Sequence, residues 1–260
     1  MLEVKNLSIN FYDTTPVTKG IENINISICE GETVGIVGES GSGKTLTALS
    51  IMGLIEDHVK IDSGEILFNN KNLLQISAKE RRKIIGNDIS MIFQEPISSL
   101  NPLMKVGKQV EESLKLHKNM TKDDRKKEAI KMLELVKLPD ANIIYDKYPH
   151  ELSGGMCQRV MIAAAMICHP KLLIADEPTT ALDVTIQKNI LKLISEFHET
   201  ENMGVMFISH DLRVIRYICD KVIVLYKGKV VESGTVEDVF NNPKEEYTKK
   251  LVGIKNGKRK

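Results

Sequence analysis

The stretch Gly38-Glu39-Ser40-Gly41-Ser42-Gly43-Lys44-Thr45 leaves this chain few architectures. Before it runs Thr33-Val34-Gly35-Ile36-Val37, short and apolar, as in a buried strand. After it, Leu46, Leu49, Ile51 and Met52 fall on helical spacing. Strand, glycine-rich turn and helix form the setting in which G-x-x-x-x-G-K-[ST] cradles a polyphosphate. Glycines let successive backbone N–H groups turn inward, and the helix N-terminus adds a favourable partial charge. Lys44 would reach the β- and γ-phosphates, and the Thr45 hydroxyl would ligate Mg²⁺. By average residue usage the pattern arises by accident in about one chain per hundred of this length, and its setting lowers that further. The stretch reads as a nucleoside triphosphate site.

A chain of 260 residues allows one large domain or a core with a smaller lobe. Lys and Arg total 36 against 35 Asp and Glu, so no global basic field points to nucleic acid. Cys29, Cys157, Cys168 and Cys219 are scattered without a C-x-x-C pair, which fits a reducing compartment and neither a disulfide framework nor a zinc or iron–sulfur site. Met1-Leu2-Glu3-Val4-Lys5 lacks a signal-peptide pattern, and the apolar run 160–168 is far too short to span a bilayer. The expectation is a cytosolic protein whose membrane work, if any, is done through other chains. The basic end Lys255-Asn256-Gly257-Lys258-Arg259-Lys260 reads as solvated.

In chain order, residues 2–9 and 21–28 read as strands, the second alternating Ile24, Ile26 and Ile28. Phe11 and Tyr12 between them offer an aromatic face that could stack on a purine or pack on the core. Strands are expected at 64–68 and 89–93, with a charged helix at 78–85. Pro96 and Pro102 then break regular structure, and from 105 to 136 the pattern turns helical. Thr121-Lys122-Asp123-Asp124 signals a capping box before an apolar face of Ala129, Met132, Leu133 and Val136. Residues 95–165 thus read as a helical subdomain inserted into an α/β core of 1–94 and 166–260. Ser153-Gly154-Gly155 opens a helix, where free N–H groups and a hydroxyl suit either an anion or a plain N-cap.

Leu172-Leu173-Ile174-Ala175 is apolar throughout, as in a strand buried on both faces, and it ends in Asp176-Glu177-Pro178. Adjacent carboxylates there are costly unless they meet a cation, water or substrate. A helix is expected over 184–201, a strand over 205–208 ending in Ser209-His210-Asp211, and strands at 222–226 and 229–231. Four apolar strands therefore end in polar groups: the loop at Gly38, Gln94, Asp176-Glu177 and His210. In open parallel sheets the ligand crevice lies at the carboxyl ends of the strands, which would gather all four on one Mg²⁺–triphosphate.

This ordered set resembles the ATP-binding subunits of ABC transporters over essentially the whole chain. The phosphate loop looks like Walker A, Leu172-Leu173-Ile174-Ala175-Asp176 like Walker B, and Leu152-Ser153-Gly154-Gly155-Met156-Cys157-Gln158 like the signature motif. Gln94 matches the Q-loop, Ala181-Leu182-Asp183 the D-loop, His210 the switch histidine and Tyr12 the adenine-stacking aromatic, with Phe11 possible in its place. The resemblance implies one ABC ATPase domain of the P-loop NTPase α/β class, with a mostly parallel sheet, N-terminal antiparallel β strands and the inserted α-helical subdomain. It implies ATP and Mg²⁺, the nucleotide held by Tyr12, Gly38, Ser40, Gly41, Gly43, Lys44 and Thr45. It implies Glu177 as general base, His210 and Gln94 at the γ-phosphate, and Thr45, Gln94 and Asp176 around Mg²⁺. Ser153, Gly154, Gly155 and Asp183 would complete the ATP site of a partner, head to tail. Met156 stands where many signatures carry Gln, so that contact is absent.

Finer resemblance, carried by Gln94-Glu95-Pro96-Ile97-Ser98-Ser99-Leu100-Asn101-Pro102, by Tyr148-Pro149-His150-Glu151-Leu152 and by the run ADEPTTALDVTIQ at 175–187, is to the dipeptide, oligopeptide and nickel importer branch. Gly155-Met156 and Thr179-Thr180 look like the first of its two paired ATPases. The implied partners are a second homologous ATPase in a heterodimer, two integral membrane permease subunits and an extracytoplasmic substrate-binding protein, without nucleic acid. The implied place is the cytoplasmic face of the membrane. The chain stops about a dozen residues past Asn242-Pro243-Lys244-Glu245-Glu246-Tyr247-Thr248, which resembles nickel-importing members more than many peptide importers. The alternative class is a cytosolic ABC ATPase acting on nucleic acid or ribosomes; those typically carry two cassettes, a coiled-coil arm or zinc-binding cysteines, and this sequence has none of them.

Overall fold

The structure is a computed structural model and describes residues 1–13, 15–179, 184–255 and 258–259. The chain divides into two compact units, Met1–Ser77 with Gly204–Lys260, and Ala78–Met203.

In the first unit, β1 (Leu2–Phe11) pairs antiparallel with β2 (Thr18–Ile28) and with β4 (Val59–Phe68), and β5 (Lys71–Asn72) completes a sheet of order β2-β1-β4-β5. The cause in β2 is the expected alternation: Ile24, Ile26 and Ile28 are buried and the residues between them exposed. β4 begins five residues earlier than expected, because its first half carries polar Lys60, Asp62 and Ser63, and the glycine at 64, expected to open the strand, sits inside it. The register against β1 shifts there, between Lys5 and Ser8.

A second layer of the unit is built on β3 (Thr33–Val37), whose five residues are all buried. β3 pairs in parallel with β8 (Gly204–Ile208) and with β9 (Lys221–Tyr226), and β9 turns back antiparallel into β10 (Lys229–Thr235). Lys227 and Gly228, both at positive φ, form that two-residue turn. The start of β3 is pinned by Asp220, whose carboxylate accepts from Thr33 N at 2.8 Å while its own N–H donates to Thr33 O at 2.9 Å. Helix α1 (Lys44–Met52) follows the phosphate loop, and α10 (Leu212–Ile218), α11 (Val236–Asn241) and α12 (Glu246–Leu251) are placed after β8 and β10.

In the second unit, α2 (Ala78–Ile84) leads to β6 (Ile89–Ile92), which pairs in parallel with β7 (Leu172–Asp176). Between these strands the chain is helical: α3 (Pro96–Ser99), α4 (Val106–Val110), α5 (Glu112–His117), α6 (Lys122–Leu135), α7 (Ala141–Asp146), a 3₁₀ turn at Pro149–Glu151 and α8 (Gly154–Met166). Helix α9 (Val184–Glu201) ends the unit. Thr121 caps α6 by accepting from Asp124 N at 3.2 Å, and Ala129, Met132, Leu133 and Val136 are buried as their spacing requires. The reciprocal half of a capping box is replaced: the Asp124 carboxylate accepts from the Thr121 hydroxyl at 2.6 Å, Asp being one methylene shorter than the Glu of the full motif. Among the described residues no helix is long and apolar enough to cross a membrane.

The helical part is anchored by buried Tyr145, whose hydroxyl donates to Glu111 Oε2 at 3.0 Å, with Lys108 on the same carboxylate at 2.7 Å. Gly107 lies against this ring so closely that any Cβ would collide with it. Gly107→Ala is therefore expected to cost about 1–3 kcal/mol through forced repacking. Thermal unfolding of the variant should show a midpoint several degrees lower; an unchanged midpoint would disprove the rigidity of this contact.

Candidate active site

The phosphate loop sits where β3 ends and α1 begins. Gly38 has positive φ, and a Cβ there would collide with Leu225 O and press on Ser42 Oγ, so the backbone can come this close only as glycine. Gly43 is the N-cap of α1 and contributes no side-chain cap, which leaves first-turn N–H groups facing the loop. The Lys44 side chain, in a residue 7% exposed, folds back over the loop and donates to Gly38 O at 2.9 Å and Glu39 O at 3.0 Å. Ser42 Oγ is buried and has no hydrogen-bond partner among the described residues. A buried ammonium and an orphaned hydroxyl at a helix N-terminus form a donor set that suits a phosphate.

Strand register then explains which polar residues meet. In the first unit Ile36 of β3 lies beside Ile208 of β8, so Gly38 and His210 each follow two residues later at the same sheet edge. His210 is exposed, between buried Ser209 and half-buried Asp211. Asp211 caps α10 through Arg213 N at 2.9 Å, and the Arg213 guanidinium holds its carboxyl below the ordinary value. In the second unit Ile92 of β6 lies beside Ala175 of β7, and two residues on, Gln94 Nε2 donates to Glu177 Oε2 at 3.3 Å. Asp176 is 2% exposed at the end of β7. Two residues far apart in the chain, both expected at the site, are thus brought together.

Glu177 has φ of 46°, a left-handed backbone that costs a non-glycine residue roughly 1–2 kcal/mol. Such strain clusters at functional positions, and no sequence pattern announces it. Ser153 caps α8, accepting from Met156 N at 3.3 Å, and it stays exposed together with Gly154. The plain N-cap reading therefore holds, and the capped helix start is accessible. Tyr12 is 45% exposed; its hydroxyl donates to Asp62 Oδ1 at 2.9 Å, and Lys60 Nζ lies 5.1 Å from the ring centre. Phe11 instead turns toward His58, ring centres 6.3 Å apart, so Tyr12 is the more accessible aromatic. Ala181, Leu182 and Asp183, and Thr180 before them, lie outside the described residues.

One contact at the loop had no sequence signal. The Tyr247 hydroxyl of α12 accepts from Glu39 N at 3.0 Å, across 208 residues. A cavity of about 790 Å³, lined by Leu114, His117, Met132, Cys168 and Lys171 among others, opens at the starting ends of β6 and β7. Gln94 and Glu177 are at the finishing ends, so the cavity is separate from them.

The profile of the ABC transporter family matches residues 21–180. The dipeptide transport ATP-binding protein DppD of Haemophilus influenzae is 48% identical over 252 residues, covering 97% of this chain and 76% of that protein. The glutathione import ATP-binding protein GsiA of Shigella dysenteriae is 46% identical over 97% of this chain and 41% of its own length. Among solved structures, a dimeric post-hydrolysis ATP-binding cassette bound to ADP and Pi superposes with a TM-score of 0.82 at 30% identity, covering 91% of this chain and 99% of that one. A phosphate loop that only glycine can close, and parallel strands delivering Gln94 beside Glu177, now have a common explanation. The chain belongs to the ABC transporter family and is one of its ATPases.

Proposed function

We propose that this chain energises the import of peptides as one of two ATPases bound head to tail beneath a pair of membrane permeases, fed by an extracytoplasmic binding protein. Support for peptide cargo comes from similarity over 97% of this chain to proteins named for dipeptide and glutathione transport. The nickel expectation rested on the C-terminal stretch and draws nothing from these relatives.

The observation that carries the paired arrangement is Gly154. A Cβ there would meet nothing within 4 Å, so its own fold does not require glycine. The need for a bare, exposed helix start then lies outside the chain, in a phosphate presented by a partner. On this reading Lys44, with Gly38, Ser40, Gly41 and Gly43, holds the triphosphate, and Tyr12 stacks on the base. Glu177 takes a proton from the attacking water, oriented by Gln94, and His210 contacts the γ-phosphate. Ser153, Gly154, Gly155 and Asp183 serve the partner's nucleotide. On the same reading Thr45, Asp176 and Gln94 would each offer a hard oxygen donor to Mg²⁺ bound with ATP, and the ion would neutralise phosphate charge. ATP favours the closed pair and hydrolysis releases it; the difference in affinity between the two states limits the work delivered.

Gly155-Met156 with Thr179-Thr180 supports a partner that is a related but different ATPase. Ser153→Arg, placed in this subunit alone, is expected to damage only the site whose phosphate loop belongs to the partner. The reconstituted transporter should keep partial ATPase activity, whereas a pair of identical subunits would lose both sites. Transport at the full rate by this chain and the permeases without a second ATPase would refute the heterodimer. Failure of the chain to associate with any membrane subunit would refute the importer reading.

A further inference from the structure

The phosphate loop is backed by a stretch of chain almost two hundred residues away in sequence, and three separate contacts hold it there. Leu225 O, near the end of β9, touches Gly38 where a side chain would otherwise stand. Gly228 N, in the β9–β10 turn, donates to Ser42 O at 3.2 Å. The Tyr247 hydroxyl accepts from Glu39 N at 3.0 Å. The Tyr247 ring stacks on Tyr226 with centres 4.1 Å apart, so the hydroxyl is aimed rather than draped. The start of α12 is fixed in turn by Glu232 of β10, whose carboxylate accepts from Lys244 N at 2.7 Å and Glu245 N at 3.1 Å.

The main chain of Glu39 is therefore held by side chains on both sides, its N–H by Tyr247 and its C=O by Lys44 at 3.0 Å. A triphosphate, on the proposed function, would draw the Lys44 ammonium onto its own oxygens and leave Glu39 O with the Ser42 N–H, 3.2 Å away. Tyr247 would then be the side chain that still holds Glu39 in place. From this geometry we infer that Tyr247 is a positioning residue for the nucleotide site: it acts through the Glu39 amide to keep the phosphate loop in its receptive shape, and α12 couples the C-terminal segment to nucleotide affinity. Burial pushes the Tyr247 hydroxyl above the ordinary tyrosine value, so it is a neutral phenol near pH 7 and can accept this N–H. The inference rests on the phosphate loop being the nucleotide site.

Tyr247→Phe removes the hydroxyl and keeps the stack on Tyr226. With the Glu39 amide unpaired, affinity of the purified chain for a fluorescent ATP analogue should fall about threefold to tenfold, the usual worth of one hydrogen bond. In the assembled transporter KM for ATP should rise by a similar factor with kcat nearly unchanged, and the unfolding midpoint of the nucleotide-free chain should move by no more than about 4 °C. Affinity within twofold of wild type, alongside loss of binding in Lys44→Ala, overturns the role of Tyr247 and leaves the phosphate-loop reading standing. A larger fall in the midpoint with KM unchanged overturns it too, since Tyr247 would then serve the fold alone. If Lys44→Ala binds like wild type, the nucleotide-site reading fails and takes this inference with it.

Discussion

Lys44→Ala is expected to raise the dissociation constant for ATP by at least about a hundredfold, which in a standard titration looks like loss of binding. The reason lies in where the ammonium stands. It is buried over the loop and held by the carbonyls of Gly38 and Glu39, so it is already desolvated and aimed when a nucleotide arrives. A charge-assisted hydrogen bond in such a place is worth about 1.5–3 kcal/mol per contact, and Lys44 can offer several donors to the phosphates. Its removal has a second effect, because the two loop carbonyls lose a donor and the loop loses the fastening that keeps it wrapped. The neighbouring fastening through Tyr247 remains, which is why the fold should survive. Calorimetric titration with ATP, paired with thermal unfolding of the same sample, separates the two effects. Affinity within a few-fold of wild type in a folded variant would falsify the assignment of this loop.

Glu177→Gln should leave ATP binding near normal while hydrolysis falls by roughly 10²–10⁴, the contribution of a positioned general base. Geometry favours this substitution as a clean one. Gln has the shape of Glu, so the left-handed backbone at position 177 is strained no further, and an amide can still accept the hydrogen bond that Gln94 Nε2 makes. What disappears is the ability to take a proton from water. Because reopening of the ATPase pair depends on hydrolysis in the proposed mechanism, the variant should also accumulate as an ATP-bound dimer. Single-turnover hydrolysis and size-exclusion chromatography with ATP read the two consequences independently. Turnover close to normal would move the base elsewhere, with His210, at the same sheet edge as Gly38, the next residue to test.

Family membership brings the two expectations into one frame, since relatives at 46–48% identity carry names of peptide and glutathione transport ATP-binding proteins. On the proposed roles the two residues act at different stages: Lys44 would decide whether a nucleotide is held, Glu177 whether it is cut. A transporter carrying Glu177→Gln should therefore bind ATP and stall, and one carrying Lys44→Ala should not engage ATP at all.

Local signals in the sequence determined a good part of this molecule. The bounds of β3 and of α9 agree with expectation to the residue, because an unbroken apolar run between turn residues and a long amphipathic period are both read from neighbours along the chain. The cap at Thr121 and the helix start at Ser153 were legible for the same reason. The polar ends of the strands were legible too, and at Asp176 a carboxylate closing a buried strand is costly without a partner. The tertiary structure alone decided who meets whom. Gln94 reaches Glu177 because parallel pairing sets Ile92 beside Ala175, a register fixed by packing of both sheet faces and by hydrogen bonds across 83 residues of chain. The left-handed backbone of Glu177 is imposed by its surroundings against its own preference, so no propensity could foretell it. Tyr247 was a plain aromatic in a polar segment until α12 carried its hydroxyl to the Glu39 amide, and a contact of that range is settled only when the whole unit closes around its core.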